Sequence, residues 1–204
     1  MDERVTRFAK LPVTCVADGL GGGNSLHWAI RPLREEYAMC GRALTVDMPA
    51  GDNDAVLRAI SVAEPGQVLV IDAKGSVYNT VSGDFMVGMA KVMGLAGIVA
   101  DGSIRDIQGI RAAGLPVFCR GTTIAVGGKS GQGEVNVPIA CGGVPVMPGD
   151  WIVGDADGVT VVPAADAANI ISGAREKERR DQERMRSVLV SREAVCRYLD
   201  GVLG

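Results

Sequence analysis

Val68-Leu-Val-Ile71 and Gly97-Ile-Val-Ala100 are two short apolar runs, and the helical segment Asp84 to Met93 lies between them. A second helical segment, Ile104 to Ala113, leads from the latter run into Val117-Phe-Cys119. Short buried strands that alternate with amphipathic helices are typical of parallel strands joined by right-handed crossovers. This stretch therefore predicts an α/β fold with a βαβαβ core.

The segments on either side of this core extend the fold. An alternating apolar stretch from Gly41 to Pro49 predicts a strand, and a helix with an N-cap signal opens near Asp54. Between Val135 and Pro163, short strands separated by turn dipeptides predict antiparallel hairpins and hence a second antiparallel sheet layer. The helix that begins near Ala164 becomes almost wholly charged in its later turns, so we expect it to project from the domain.

Length and composition indicate a single domain, residues 1–204, in which 164–204 form a helical C-terminal extension. The formal net charge of −3 provides no general attraction for phosphate backbones, and no apolar run reaches the ~20 residues needed to span a bilayer. The five cysteines are scattered without a C-x-x-C pair, which is typical of a reducing compartment. We therefore expect a cytoplasmic protein with neither a nucleic-acid nor a membrane partner.

Two strand-to-helix turns carry the polar side chains that could perform chemistry. Gly83-Asp-Phe-Met86 opens the first helix of the core, and Asp101-Gly-Ser-Ile-Arg-Asp106 precedes the second. Ligands of open parallel sheets bind beyond the carboxyl ends of the strands, and a helix N-terminus attracts a carboxylate through its unpaired backbone N–H groups. Right-handed crossovers would set the two turns side by side.

Together the turns would supply two carboxylates, Asp84 and Asp106, and one guanidinium, Arg105. Carboxylates with water suit a hard cation such as Mg²⁺ or Mn²⁺, and the arginine can bind a substrate carboxylate through two hydrogen bonds. A bound cation can polarise a 2-oxo group and stabilise an enolate. The alternative is that both aspartates merely cap their helices, which is the common role of an aspartate in the first turn.

The remaining polar candidates are better explained by structure than by chemistry. His27 is the only histidine, so a zinc site with several histidines is excluded. Asp155 and Asp157 lack the spacing of a calcium-binding loop and are typical of a turn between strands. The loops Gly21 to Leu33 and Gly127 to Gly133 could determine substrate specificity, but the sequence does not place them.

Several segments resemble the RraA-like family, which includes the 4-hydroxy-4-methyl-2-oxoglutarate aldolases and the regulators of ribonuclease E activity. The matching segments are Pro49-Ala-Gly-Asp-Asn53, Gly83-Asp84, Gly94-Leu-Ala-Gly-Ile-Val-Ala-Asp-Gly-Ser-Ile-Arg-Asp106, Gly142-Gly-Val-Pro-Val-Met-Pro-Gly-Asp150 and Gly154-Asp-Ala-Asp-Gly-Val-Thr-Val-Val-Pro163. They cover most of residues 12–180. The resemblance implies a swivelling β/β/α domain that assembles as a homotrimer or as a dimer of trimers.

For the site, the resemblance implies a class II, metal-dependent pyruvate aldolase, with oxaloacetate decarboxylase activity through the same enolate. The pyruvyl group would be bound by the backbone amides of a segment that comprises Gly83, Asp84, Phe85 and Met86. Arg105 would contact the substrate, and Asp106 would ligate Mg²⁺ or Mn²⁺. The carboxylate of Asp84 would hold metal-bound water.

The resemblance also implies that one catalytic carboxylate comes from a neighbouring subunit. In the family a glutamate on the C-terminal helix enters the adjacent site, and the local Lys-Glu pattern places it at Glu178, with Glu176 as the alternative. The sequence departs from the aldolase pattern at Gly109, where an acid is usual. This departure leaves the exact substrate open.

A different function is compatible with the same resemblance. A non-catalytic member of the family would bind and regulate a ribonuclease and would need no metal. The co-occurrence of Asp84, Arg105 and Asp106 favours the enzyme, because a pure regulator has no need of two carboxylates and a guanidinium at one edge of a sheet. We therefore predict a carbon–carbon lyase that cleaves a 4-hydroxy-2-oxo acid to pyruvate and a second oxo acid.

Overall fold

The computed structural model describes residues 3–204 of the 204-residue chain. The helices are α1 (Glu3–Phe8), α2 (Val13–Gly19), α3 (Asp54–Ser61), α4 (Asp84–Val92), α5 (Ile107–Ala113), α6 (Ala167–Val188) and α7 (Arg192–Leu203). The strands are β1 (Arg31–Pro32), β2 (Met39–Asp47), β3 (Gln67–Asp72), β4 (Thr80–Ser82), β5 (Gly97–Ile104), β6 (Val117–Thr122), β7 (Glu134–Val135), β8 (Ile139–Cys141), β9 (Val144–Val146), β10 (Trp151–Asp155) and β11 (Gly158–Val162).

A mixed sheet lies at the centre of the fold. Its strand order is β1-β6-β5-β3-β2-β10-β11, with β4 beside β5 and β7 beside β2. Neighbours among β2, β3, β5 and β6 run parallel, whereas β1, β10 and β11 pair antiparallel with their neighbours. Residues of β3 and β5 are almost all buried, as expected of parallel strands that are covered on both faces.

The βαβαβ core expected from the sequence is confirmed. The elements β3, α4, β5, α5 and β6 follow one another along the chain, and the three strands pair in parallel. Val68 lies opposite Gly97, and Ile71 lies opposite Ala100. A short strand that the sequence did not indicate, β4, leads directly into α4 and pairs with the end of β5.

The boundary between β5 and α5 differs from the prediction. The sequence indicates a turn from Asp101 and a helix from Ile104, but β5 continues through Ile104 and α5 begins at Ile107. All of the strand is buried because two neighbours flank its end: Ser103 pairs with Thr80 of β4 and with Gly121 of β6. This part of the strand consists of small and polar residues, so it lacks the apolar pattern by which a buried strand is predicted.

The antiparallel strands are divided between two sheets. β8 and β9 form a separate two-stranded sheet, in which Ile139 pairs with Val146. β10 and β11 pair with each other, and β10 also extends the main sheet, where Trp151 lies opposite Arg42 of β2. The predicted second antiparallel layer is therefore β8–β9, while the β10–β11 hairpin belongs to the main sheet.

Apolar side chains pack on both faces of the main sheet. One buried cluster lies beneath α3, α4 and α5 and includes Leu69 and Ile98. A second cluster on the other face includes Val70 and Phe118, in keeping with the alternation of side chains along a strand. Burial of each such side chain is worth about 1.5–3 kcal/mol, so both layers hold the central strands firmly and fix the positions of their ends.

The C-terminal helices leave much of their surface exposed. The buried residues of α6 are Ala167, Ile171 and Ala174, all in its first half, where it packs with α2. The buried residue of α7 is Ala194. Across residues 3–204, none of the helices combines the length and the apolar composition that a membrane crossing requires.

Candidate active site

A cleft of about 350 Å³ opens where β5 ends and α4 begins. The first turn of α4 contributes Asp84 to its lining, and the end of β5 leads into Arg105 and Asp106. Asn53, which precedes α3, and Lys129, in the loop after β6, also line it. The structure thus brings together the two turns that the sequence singles out, and Asn53 and Lys129 add polar groups to them.

Gly83 allows the two turns to touch. A Cβ atom at this position would lie 2.6 Å from Oδ2 of Asp106 and 3.6 Å from Nε of Arg105. Because real Cβ contacts are essentially never as short as the first of these, glycine is what lets the carboxylate lie against the start of α4. The backbone of Gly83 is extended, with φ −130° and ψ −175°, so the glycine supplies space rather than an unusual backbone conformation.

Gly109 makes the reciprocal contact. A Cβ atom at this position would lie 2.7 Å from Cβ of Asp84 and 2.9 Å from its Cγ. Asp84, in the first turn of α4, therefore packs on the start of α5, just as Asp106, before α5, packs on the start of α4. The two contacts are reciprocal. The aspartate at the start of each helix packs against a glycine at the start of the other helix, and we call this pair of contacts the crossed contact.

The N-terminus of α4 forms part of the cleft wall. No side chain caps this helix, and its first intrahelical bond runs from N of Val87 to O of Gly83 at 3.1 Å. The three preceding N–H groups have no intrahelical acceptor, and the helix dipole adds positive potential there. These N–H groups belong to Asp84, Phe85 and Met86, and all three residues line the cleft. A carboxylate of a ligand fits this position.

Asp106 has a backbone conformation that is uncommon for a residue other than glycine. Its φ of 60° and ψ of 42° lie in the left-handed region. Although Asp106 occupies the N-cap position of α5, its side chain makes no capping hydrogen bond. The carboxylate instead lies 3.3 Å from Nε of Arg105 and remains 43% exposed. The capping alternative therefore does not account for this aspartate, whose carboxylate is available to a ligand.

Arg105 is held through its backbone and leaves its head group accessible. Its N–H donates to O of Ser82 at 3.1 Å, which ties the end of β5 to the end of β4. The side chain is 37% exposed, and the guanidinium has five N–H donors, of which the contact with Asp106 occupies only part. Arg105 can therefore bind an anionic ligand while it stays paired with Asp106.

The carboxylates of the cleft suit a hard divalent cation. The carboxylate of Asp106 is partly exposed and makes no capping hydrogen bond, so it is available to such a cation. Among residues 3–204, no three or more His, Cys, Asp or Glu side chains come together as a metal site. Mg²⁺ commonly takes one or two protein carboxylates and completes its shell with water and substrate, so this sparse donor set fits Mg²⁺ or Mn²⁺.

The C-terminal glutamates lie away from the cleft of their own chain. Glu178 lines a separate pocket beside α1 and accepts a hydrogen bond from Nε2 of Gln182 at 3.2 Å. Glu176 pairs with Arg179 at 2.7 Å on the exposed surface of α6. Neither glutamate lines the cleft, and the assignment of Glu178 to the site of a neighbouring subunit stays a prediction.

Sequence reasoning missed Asn53 and Lys129. Oδ1 of Asn53 is buried, and no hydrogen-bond partner for it exists within the part of the chain that the structure describes. Lys129 belongs to the glycine-rich loop 127–133, which the sequence marks as a specificity loop without placing it. The hydrogen bonds that fix this loop join residues more than 70 positions apart, such as Arg58 and Gly131, so no local pattern reveals its location.

Asp101, although it belongs to the motif, has a structural role. It is buried in β5, pairs with Arg120 of the neighbouring strand, and accepts a hydrogen bond from N of Gly142 at 2.8 Å. Nδ1 of His27 lies 3.1 Å from the same arginine. Asp155 accepts a hydrogen bond from N of the residue two positions on, Asp157, at 2.9 Å, which closes the turn between β10 and β11.

A larger groove of about 820 Å³ lies beside the cleft, between α3, α4 and α5. Its lining is almost wholly apolar and includes Met89 and Val92. The groove shares Leu57, Asp84 and Phe85 with the cleft. Because convergent polar groups are needed to orient a ligand for a reaction, the smaller cleft is the better candidate for chemistry.

A family model and a relative that spans nearly the whole chain show the family of this protein. A model of the RraA-like family, described as Aldolase/RraA, matches residues 13–161. A relative from Halalkalibacterium halodurans, which bears the name "Putative 4-hydroxy-4-methyl-2-oxoglutarate aldolase", is 48% identical over 199 residues. The match covers 98% of this chain and 95% of the relative.

Solved structures with the same fold include two proteins described as inhibitors. RraAS2 of Streptomyces coelicolor, described as an unusual member of the RNase ES inhibitor RraA protein family, is 34% identical with a TM-score of 0.81. That match covers 91% of this chain and 98% of the other. The RNA-processing inhibitor RraA of Thermus thermophilus is 28% identical with a TM-score of 0.69, over 76% of this chain and 93% of the other.

Proposed function

Because this chain belongs to the RraA-like family, we propose that it is a metal-dependent aldolase that cleaves a 4-hydroxy-2-oxo acid to pyruvate and a second oxo acid. The observation that carries the proposal is the convergence of Asp84, Arg105, Asp106 and the uncapped start of α4 in one cleft. Cleavage through an enolate needs an anion site, a cationic group near the 2-oxo oxygen and a proton acceptor. The cleft contains a group for each of these tasks.

Substrate binding follows from the two sources of positive potential. The free N–H groups at the start of α4 would hold the carboxylate at C1 of the substrate. The guanidinium of Arg105 would then donate to the 2-oxo oxygen, on which negative charge develops during cleavage. Bound at Asp106, a Mg²⁺ or Mn²⁺ ion would supply further polarisation of the 2-oxo group.

The bond changes can be assigned to residues of the cleft. Asp84 would accept the proton of the 4-hydroxyl group, directly or through one water molecule. The C4 oxygen then becomes a carbonyl, the C3–C4 bond breaks, and its electron pair forms an enolate whose oxygen is stabilised by Arg105. Return of the proton to C3 gives pyruvate. Loss of CO₂ from oxaloacetate would give the same enolate without a base.

Pyruvate release from a panel of 4-hydroxy-2-oxo acids and oxaloacetate, with Mg²⁺ or Mn²⁺ and then with a chelator, tests the proposal. We expect metal-dependent turnover, and a loss of about 10²–10³-fold for Arg105→Ala, the usual effect of removing one donor to a developing oxyanion. Arg186→Ala, an exposed change on α6, is the matched control and should leave the rate unchanged. Absence of turnover with every compound, or a normal rate for Arg105→Ala, would remove the proposal.

The names of the structural relatives favour a second candidate function. Both are described as inhibitors, one of RNase ES and one of RNA processing, so a regulator that binds a ribonuclease is the alternative. Inhibition of a purified endoribonuclease by the wild-type protein and by Arg105→Ala distinguishes the two. The regulator predicts equal inhibition by both proteins without added metal, whereas the aldolase predicts none.

We also propose that the protein assembles as a trimer or as a dimer of trimers. The exposed apolar side chains of α7, Leu199, Val202 and Leu203, support an assembled state. If Glu178 serves the site of a neighbour, Glu178→Gln and Arg105→Ala should each lose most of the activity, but a mixture of the two should regain part of it. Light scattering that gives a monomer, or a mixture without activity, would contradict this arrangement.

A further inference from the structure

The loop 127–133 forms part of the cleft wall, although it belongs to no helix or strand. Four of its seven residues are glycines, and its regular backbone pairing is limited to one isolated bridge between Gly128 and Asp52. A glycine-rich segment loses much conformational entropy when it is ordered. The position of this loop must therefore be fixed by contacts with other parts of the chain.

The first half of the loop is held by the segment that precedes α3. N of Gly128 donates to O of Gly51 at 2.6 Å, and O of Gly128 accepts from N of Asn53 at 3.2 Å. N of Ser130 donates to Oδ2 of Asp52 at 2.6 Å. Burial raises the pKa of Asp52, but hydrogen bonds from Ser130 and nearby backbone groups outweigh it and lower the pKa, which favours the charged acceptor.

The second half of the loop is held mainly by Arg58. The guanidinium donates to three consecutive backbone carbonyls at 3.1, 2.9 and 2.8 Å, those of Gly131, Gln132 and Gly133. Within residues 3–204, all hydrogen bonds of this guanidinium go to the loop. Asp54 adds one more contact, because its Oδ2 accepts from N of Gly131 at 2.8 Å. One side chain thus supplies three of the hydrogen bonds that order this half of the loop.

The helix that carries Arg58 is itself firmly anchored. The opposite side of α3 packs into the core beneath the main sheet, while Arg58 lies on its exposed side. The guanidinium therefore connects the loop to a helix that the core holds in place. The buried residues of α3 are Ala55, Val56, Ala59 and Ile60.

We propose that Arg58 is a positioning residue that holds the loop 127–133 in place, so that this wall of the cleft is preformed before a ligand binds. A ligand that enters a preformed site does not have to order the loop, and this saving appears as affinity. The inference rests on the proposed function in one respect, because it takes the cleft as the site of turnover. Bond cleavage stays with Asp84 and Arg105.

Limited proteolysis measures the position of the loop directly. Trypsin cleaves after lysine and arginine where the backbone can open, and Lys129 lies within the loop. Arg58→Met keeps the aliphatic stem and a high helix propensity but removes every donor. We expect native Arg58→Met protein to be cut after Lys129 roughly tenfold faster than the wild type, as followed by mass spectrometry. This assay needs neither a metal nor a substrate.

The kinetics of pyruvate release test the consequence for the cleft. Arg58→Met should raise KM roughly tenfold and leave kcat within about twofold, because the cost of ordering the loop moves to the binding step. Arg58→Lys keeps the charge without the planar fork, so both of its effects should be intermediate.

Arg111→Met is the matched control. Arg111 also lies in the last turn of a helix, α5, and its Nε donates to a backbone carbonyl, O of Leu33, at 3.2 Å. It does not line the cleft. Its replacement should leave both KM and the cleavage after Lys129 at wild-type values.

Each outcome decides the role of Arg58. Cleavage after Lys129 at the wild-type rate in Arg58→Met overturns the inference, and so does faster cleavage with an unchanged KM. If trypsin cuts Arg58→Met faster at sites throughout the chain, the variant is destabilised as a whole, and the inference is overturned as well. A wild-type protein without turnover removes the proposed function, and the cleavage after Lys129 then decides by itself whether Arg58 holds the loop.

Discussion

Replacement of Gly109 by alanine tests whether the crossed contact between α4 and α5 holds Asp84 in place. The new Cβ would lie 2.7 Å from Cβ of Asp84, whereas ordinary contacts begin at 3.4 Å, a shortfall of about 0.7 Å. The carboxylate end of Asp84 could rotate away, but its Cβ is fixed to α4, so the two helices must separate. Such overpacking costs about 1–3 kcal/mol, against about 1 kcal/mol gained in helix propensity.

We therefore expect Gly109→Ala to be destabilised by up to about 2 kcal/mol, a fall of a few degrees in Tm for a chain of this length. The displacement should lower kcat at least about tenfold, because a shift of this size misplaces Asp84 relative to the substrate. Gly88→Ala, in the middle of α4, is the matched control, since its Cβ would have nothing within 4 Å. Only the propensity gain remains there, about 0.5–1 kcal/mol of added stability with normal turnover.

Calorimetric melting and pyruvate release, measured on both variants, decide the matter. If Gly109→Ala is stabilised as much as Gly88→Ala and turns over at the wild-type rate, the crossed contact has no role in placing Asp84. If Gly109→Ala is unstable but fully active once folded, the contact is structural and the carboxylate is held by something else.

Three further measurements test other parts of the structure. Asp106→Asn should keep the left-handed backbone, which asparagine tolerates, but should lose turnover and, in titration calorimetry, the binding of Mn²⁺. Asp106→Ala should in addition lower the free energy of unfolding by about 1 kcal/mol, because alanine is strained in that conformation. The pKa of Asp52 is lowered in the folded protein, so its carboxylate stabilises the fold above the unfolded pKa of about 3.8, and this stabilisation is lost as the pH falls from there through the lowered folded pKa. Asp52→Asn should therefore lower the free energy of unfolding by about 1–3 kcal/mol at pH 7 and by less at pH 3, as measured by denaturant unfolding. Iodoacetamide should label only the exposed Cys196 in the native protein, because the other thiols are buried and burial raises the pKa of Cys119 to about 11. Two or more adducts on the native protein in mass spectrometry would contradict the buried positions of the other cysteines.

The central strands could be predicted because the apolar pattern that identifies them lies within each segment of the sequence. Val68-Leu-Val-Ile71 and Gly97-Ile-Val-Ala100 are apolar runs of strand length between helical segments, and the structure pairs them residue by residue. The end of β5 could not be predicted in the same way. Gly102 and Ser103 resemble a turn by composition, but they are buried because β4 and β6 enclose them, and β4 is itself too short to leave a pattern.

The site was predictable to the extent that it lies at strand ends. Asp84, Arg105 and Asp106 follow parallel strands, whose carboxyl ends meet at one edge, so topology alone places them near one another. The two glycines that let the turns touch depend on distances that no spacing rule supplies. Lys129 is beyond sequence reasoning for a different reason, since its position depends on hydrogen bonds between its loop and the distant segment 51–53.

β5 is enclosed along its whole length, by β3 beside its first half, by β4 beside its end and by β6 on the other side. Its backbone amides should be among the last in the molecule to exchange with heavy water, although Arg105 and Asp106, only one and two residues beyond it, are open to solvent. The chain therefore passes from a fully buried strand to two solvent-accessible functional groups within two peptide units. Heating should not loosen these groups ahead of the fold, and inactivation should occur at the temperature at which the sheet itself is lost.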